Sequence, residues 1–311
     1  MKTAASLGNG QAIVEAPDSS AWADFNAKFS AYVELAKLRV ATLVLVTVAA
    51  GFLLGARGAS HPSTLLLTVF GTALVATGAS AWNQYLERFR DPLMKRTANR
   101  PLPTGRLSPA EAAWFGVITG VLGVLMLALG VNTLSAIVAT VTYFLYAFVY
   151  TPLKPRTTLN TAIGAIPGAL PPVIGWAGAT GRLGIEAWAL FLIVFLWQFP
   201  HFLAIAWIYR ADYARAGHKM LPTVDPEGAI TGRQAAVYAL ALVPAGLLPA
   251  SIGLAGPVYF AGALLLGIYY LASAMRFWAR TDDASARRLM KASFIYLPMI
   301  LLLLLLNPMP A

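Results

Sequence analysis

The sequence predicts an all-α, polytopic membrane protein with nine transmembrane helices, and three observations predict it. The 311 residues are 58% hydrophobic and only 12% charged, with a mean hydropathy of +0.67; a soluble domain is about 45–50% apolar and about 25% charged. The apolar residues form nine runs, 40–56, 63–86, 109–129, 133–151, 161–179, 185–208, 234–253, 257–277 and 292–307, most of them near the length that crosses a hydrocarbon core of about 30 Å. The bases lie between these runs, on one side of them. With the N-terminus inside, every one of the 23 Lys and Arg residues except Arg57 and Arg182 falls on the inner side. That asymmetry predicts the orientation, N-terminus in and C-terminus out, with the loops 87–108, 152–160, 209–233 and 278–291 cytoplasmic; a bacterial inner membrane is the expected location. The net charge of +10 is therefore topological; it implies the lipid bilayer as a partner, and no nucleic acid. The absence of cysteine excludes disulfides, thiolate metal sites and cysteine nucleophiles.

The chain divides into residues 1–37, a polar tail and an interfacial helix, and residues 38–311, the nine-helix transmembrane domain. Residues 1–20 are small and polar, include Glu15 and Asp18, and lack the compact apolar core of a signal peptide. Over 21–37, Trp22, Phe25, Phe29, Tyr32 and Leu35 recur at threes and fours, which predicts an amphipathic helix at the membrane surface. The fifth run carries Pro167, Pro171 and Pro172, so this span bends; neighbouring helices satisfy the backbone groups that proline frees. Gly116/Gly120 and Gly164/Gly168 have the small-xxx-small spacing of close helix contacts.

Three polar clusters stand at the inner ends of spans. The first is Asn83 to Arg106. Asn83, Glu87 and Asp91 fall at i, i+4 and i+8, a spacing that lines one helix face. Oxygen ligands so placed suit a hard cation such as Mg²⁺ that shares a substrate phosphate. Pro92 and Pro101 end the helix, and Lys95, Arg96, Arg100 and Arg106 follow. An ordinary basic loop explains the bases but not an acidic ladder that starts inside the apolar run. The second cluster spans 197–222, where Asp212 stands with Arg215, His218 and Lys219; together with Asn83, Glu87 and Asp91 it closes a metal cage. Gln198 and His201 sit within the sixth span, where polar groups turn toward the bundle interior; a histidine satisfied by a nearby hydroxyl or carbonyl is the simpler reading, a cofactor-like contact the sharper one. The third cluster closes span four, with Tyr146 and Tyr150 one turn apart and Lys154 and Arg156 after them.

On these residues the chain resembles the UbiA superfamily of intramembrane prenyltransferases. Asn83-x-x-x-Glu87-x-x-x-Asp91 is similar to its first aspartate-rich motif. Asp91-Pro-Leu-Met-Lys-Arg96-Thr-Ala-Asn-Arg100-Pro, Tyr150-Thr-Pro-Leu-Lys154, Trp197-Gln-Phe-Pro-His201-Phe and Asp212-Tyr-Ala-Arg-Ala-Gly217 with Met220-Leu-Pro222 resemble, within it, the protohaem IX farnesyltransferase (haem O synthase) family. The chain departs from the pattern at Ile208, where most relatives carry a second aspartate four before the first, and at Leu38, where proline is frequent. The resemblance implies transfer of a farnesyl group from farnesyl diphosphate to a vinyl group of haem b with addition of water. It implies Asn83, Glu87, Asp91 and Asp212 as Mg²⁺ ligands, with Arg96, Arg100, Lys154 and Lys219 on the diphosphate. Tyr146 and Tyr150 would flank the allylic cation, and His201 and Gln198 the haem. Haem A synthase or oxidase assembly proteins are the protein partners it implies. Two other functions remain open at this point: a UbiA-type enzyme acting on an aromatic quinone precursor, and a transporter. Transporters hold ionisable groups near the midplane, whereas these gather at one interface.

Overall fold

The structure, a computed structural model, describes residues 19–58 and 61–309. The polar tail expected over 1–20 lies almost wholly outside them. Fourteen α-helices follow in chain order: α1 Ser19–Leu35, α2 Leu38–Ala56, α3 Pro62–Glu87, α4 Pro109–Gly130, α5 Thr133–Phe144, α6 Thr151–Leu153, α7 Asn160–Ala169, α8 Pro171–Thr180, α9 Ile185–Ile208, α10 Arg210–Arg215, α11 Leu221–Val224, α12 Ala229–Ser251, α13 Pro257–Arg280 and α14 Asp283–Leu306. No strand occurs among the described residues. Among the described residues eight rods are long and apolar enough to cross a membrane, and Ala41–Ala56 of α2 is a ninth, shorter apolar helix.

The core lies around α9. Its apolar stretch is 72% buried inside the protein and that of the rod Asn160–Thr180 67%, against 28% for the rod Thr133–Leu153, so α9 with α7 and α8 forms the axis and the other rods lie around it. Glycine sets the closest approaches. A Cβ on Gly78 would strike the Gly116 carbonyl and the Gly120 amide, and one on Gly175 would strike the Val48 carbonyl. Backbones of α3 and α4, and of α2 and α8, therefore touch, as small-residue interfaces in membranes allow.

The fifth run is two helices, α7 and α8, that meet at Leu170. Pro171 and Pro172 remove two successive N–H donors, and the ladder resumes with Ile174 N to Leu170 O at 2.9 Å. Pro167, expected to share the bend, sits inside α7 without breaking it. Two inner segments read as loops are helical. α14 starts at Asp283 rather than near 292, because Asp282 and Ser285 form a reciprocal capping box and Ala286 and Leu289 bury an apolar stripe ahead of the span. α12 starts at Ala229 rather than 234: Gly228 takes the left-handed turn (φ 75°), and the buried Asp225 carboxylate accepts from Thr231 N at 2.7 Å and Thr231 Oγ1 at 2.8 Å.

The helix expected over 21–37 is α1. Ala31 and Leu35 pack on Ala81, Leu107 and Ala112, while Trp22, Phe25 and Phe29 point outward, more than half exposed. Lys28 pairs with Glu111 at 2.9 Å and Glu34 with Arg106 at 2.7 Å. α1 is thus fastened along the site end of the bundle with an aromatic edge turned away from the protein.

Candidate active site

The site forms where α3 leaves the apolar layer. Asn83 and Glu87 are one turn apart on its last turns and are buried. The helix then stops at Glu87, and Asp91 opens a separate 3₁₀ turn, Asp91–Leu93. The three oxygens do not share one helix, as their spacing suggested. Pro92 disfavours the helical conformation for the residue before it, so the chain turns instead and carries Asp91 inward, to complete burial.

Each oxygen group faces a cation. Arg100 Nη1 donates to both oxygens of Asp91 at 2.8 Å, and Thr97 Oγ1 donates to the Asp91 carbonyl at 2.8 Å, which folds 91–100 back on itself. Burial pushes the Asp91 carboxyl above the usual range against the pull of Arg100. Lys154 Nζ donates to Glu87 Oε1 at 2.7 Å; burial is the largest single influence and opposes its charge, but Glu87, Tyr150 and Tyr146 together hold the ammonium above its usual pKa. Lys37 Nζ donates to Asn83 Oδ1 at 2.8 Å, and Asn83 Nδ2 donates to Thr151 Oγ1 at 3.2 Å, so the amide's orientation is fixed from both ends. Burial and the Arg100 charge lower the Lys37 pKa well below lysine's usual value.

The wall opposite is built by an irregularity. From Leu145 to Tyr150 the rod widens into a π-turn, closed by Thr151 N on the Tyr146 carbonyl with Thr151 Oγ1 on the same oxygen at 2.9 Å. Pro152 lacks the N–H that would continue an α ladder here, and π-turns mark functional sites. The turn sets the Tyr146 and Tyr150 rings 5.6 Å apart, with Lys154 Nζ 4.8 Å from the Tyr150 centroid. Gly164 leaves the room that Tyr150 fills, and Gly168 the room for the Gln198 amide. These glycines, read as a helix contact face, clear space for side chains of the candidate site.

A strap crosses this wall. Lys219 N donates to the Lys154 carbonyl at 2.7 Å, and Asn160 Nδ2 donates to the Lys219 carbonyl at 2.8 Å. The Lys219 side chain itself is exposed. The strap carries His218 into the protein, where Nδ1 is buried without a hydrogen-bond partner and burial pulls the ring pKa down to about 4.

Asp212 stands apart from the first three oxygens. On α10 it pairs with Arg215 and lines a cavity of about 420 Å³ with Lys95, Arg96, Ile208 and Tyr209. Arg96 lies over the Tyr213 ring at 4.7 Å and the Tyr209 ring at 5.5 Å. Met94 packs on Tyr213, Ala216 and Met220 and joins the two loops. Among the described residues no three His, Asp or Glu side chains converge as a ready metal cluster.

Deeper in α9, Gln198 Nε2 donates to the Ala165 and Val194 carbonyls, both at 3.1 Å. His201 lies parallel to Trp197, centroids 5.0 Å apart, with Nδ1 2.7 Å from Ser293 Oγ. Ser293 Oγ spends its only proton on the Met290 carbonyl at 2.6 Å, so His201 Nδ1 donates and Nε2 carries the lone pair. Phe202 and Phe294, both partly exposed on the bundle surface, flank the ring at 5.3 and 5.2 Å.

A profile of the UbiA prenyltransferase family matches residues 44–297. The chain belongs to the UbiA prenyltransferase family. It is 48% identical over 285 residues to a protoheme IX farnesyltransferase of Solibacter usitatus, covering 89% of this chain and 98% of that one. Among solved structures, a digeranylgeranylglyceryl phosphate synthase has the same fold (TM-score 0.76, 18% identity, 90% of this chain and 98% of the other). So does a UbiA homolog from Archaeoglobus fulgidus bound to DMAPP and Mg²⁺ (TM-score 0.64, 16% identity, 86% and 99%). The UbiA fold here is that of a prenyl-transferring enzyme, and a transporter is set aside.

Sequence reasoning did not select Lys37, Thr151 or His218. Lys37 was counted as a topological base, and its partner lies far away in sequence. The proline after Tyr150-Thr151 was the one available signal for the π-turn.

Proposed function

We propose that this UbiA-family chain transfers the farnesyl group of farnesyl diphosphate to a vinyl group of protohaem IX (haem b), with addition of water, releasing diphosphate. The observation that carries this reading is the pairing of two different sites in one bundle: a charged pocket at the end of α3, and a buried imidazole with a free Nε2 lone pair flanked by the partly exposed Phe202 and Phe294. The similarity over nearly the full length to protoheme IX farnesyltransferases supports haem as the acceptor, and supports it over a quinone precursor.

The donor set fits Mg²⁺. Two carboxylates and an amide oxygen, each already facing positive charge in the protein alone, leave coordination positions for water and substrate phosphate, as this ion prefers. Glu87, Asp91 and Asn83 would hold it, with Asp212 approaching from α10 on the joined loops. When bound, the ion neutralises charge on the diphosphate oxygens. Arg100, Lys154 and Arg96 are then the cations placed to bind the diphosphate and to stabilise the charge it gains as the allylic C–O bond breaks, with the Lys37 amine as a further hydrogen-bond donor. Lys219 would contact its exposed side. The leaving group takes the electron pair, and the Tyr146 and Tyr150 faces stand by the remaining cation without trapping it. The haem vinyl group forms the new C–C bond, and water captures the second cation and loses a proton. His201 would hold the haem through its Nε2 lone pair, and Gln198, fixed by two carbonyls, shapes the floor.

We further assign the chain to a bacterial inner membrane with the site on the cytoplasmic side, on the distribution of its bases, and 1–37 to a surface-lying segment distinct from the transmembrane domain 38–311. Titration of haem b and of farnesyl diphosphate into His201→Ala and Asp91→Asn tests the two-part site. His201→Ala weakens haem binding and leaves diphosphate binding intact, and Asp91→Asn does the reverse. Haem affinity and turnover unchanged in His201→Ala return this histidine to a packing role.

A further inference from the structure

We propose that Arg276, Arg280 and Arg288 form a phosphate-binding site at the α13–α14 turn, separate from the diphosphate pocket, whose ligand is the headgroup of an anionic phospholipid. Arg276 and Arg280 lie one turn apart on α13, and Arg288 projects from α14. With Ser273, Asp282, Ala284 and Ser285 they line a cavity of about 140 Å³. Like charges at this spacing on a helix repel, so the arrangement calls for a counter-anion. Asp282, near Arg280, is the one carboxylate on the cavity wall, and among the described residues no carboxylate lies within salt-bridge distance of any of the three, so the cavity keeps a net positive charge.

Asp282 Oδ1 accepts from Ser285 N at 2.7 Å as the cap of α14. The adjacent Asp283 turns away to Arg210, at 2.7 Å. That ion pair also fixes the level of the cavity, since Arg210 stands beside Asp212 at the site end of the bundle. Guanidinium groups match phosphate oxygens two at a time, and basic pockets between membrane helices bind anionic headgroups. The cavity stands at the ends of two helices long and apolar enough to cross a membrane, α13 and α14, the level at which headgroups lie, which favours the lipid as the source.

The test uses the full-length protein in nanodiscs of phosphatidylglycerol, of phosphatidylcholine, or of phosphatidylcholine with inorganic phosphate added. Retained lipid is read by native mass spectrometry, and thermal stability in parallel. Phosphatidylglycerol is retained by the unmodified protein and by Arg287→Gln, a neighbour outside the cavity. Occupancy falls about fivefold for each of Arg276→Gln, Arg280→Gln and Arg288→Gln. The triple lysine variant, which keeps the charge and guards against a folding artefact, recovers part of it. Stabilisation by inorganic phosphate that depends on the same arginines, without retained phosphatidylglycerol, keeps the phosphate site but overturns the lipid as its source. Retention equal in the triple glutamine variant and the unmodified protein, with no effect of phosphate, overturns the site.

Discussion

Lys37 Nζ lies 2.8 Å from Asn83 Oδ1. The contact joins the turn between α1 and α2 to the first residue of the candidate metal motif, and Lys37 reaches it from a left-handed backbone conformation (φ 52°) that L-residues other than Asn, Asp and Gly rarely adopt. A lysine held this way is placed by its surroundings. Lys37→Met removes the hydrogen bond to Asn83, worth about 0.5–1.5 kcal/mol, and is expected to weaken farnesyl diphosphate binding about threefold to tenfold while haem binding stays unchanged. Isothermal titration with each substrate checks this, and an unaltered diphosphate affinity returns Lys37 to topology.

Asp91 and Asp212 answer to one experiment. If both hold Mg²⁺-diphosphate, Asp91→Asn or Asp212→Asn costs on the order of 100-fold or more in turnover while the protein still inserts and folds. Near-normal turnover of either variant at limiting Mg²⁺ removes that residue from the metal set. Asp212 is the more exposed of the two to this result, because it lines the cavity with Lys95 and Arg96 rather than the pocket of Glu87 and Asp91.

His218 makes stability depend on pH. Its folded-state pKa, near 4, lies below the roughly 6.5 of an unfolded histidine. Between these values the unfolded chain binds the extra proton, so this contribution is complete above about pH 6.5 and is lost as pH falls toward 4, up to about 3 kcal/mol in all. Thermal unfolding of the detergent-solubilised protein across that window shows the loss. In His218→Phe, which keeps the ring against Tyr213, the slope is shallower. Equal slopes in the two proteins sink this reading of the strap.

Topology is directly testable in a chain without cysteine. Ala98→Cys, in the loop that Arg100 and Asp91 close, is expected to react with a thiol reagent only from the cytoplasmic side. Labelling from the periplasm contradicts the assigned orientation.

The local pattern of the sequence carried the bundle and half of the site. Apolar run lengths and the lopsided bases anticipate the spans, and the fourfold spacing of Asn83 and Glu87 puts both on the last turns of α3. What escaped depends on partners distant in sequence or on backbone exceptions. Nothing near Lys37 announces Asn83. The π-turn that aims Tyr146 and Tyr150 arises from Thr151 and Pro152 acting on the helix before them, and Pro92 moves Asp91 off the helix on which its spacing seemed to place it. The start of α14 was missed because its first turns are polar, and the capping box that nucleates them was not weighed against hydropathy.

The central claim is the identity of the acceptor. The most direct measurement is the mass of the product formed when the purified protein, in lipid nanodiscs, receives farnesyl diphosphate and Mg²⁺ with haem b and a 4-hydroxybenzoate together. The account predicts a haem heavier by one farnesyl group and one hydroxyl group, and an unmodified benzoate. A prenylated benzoate beside unchanged haem would contradict it.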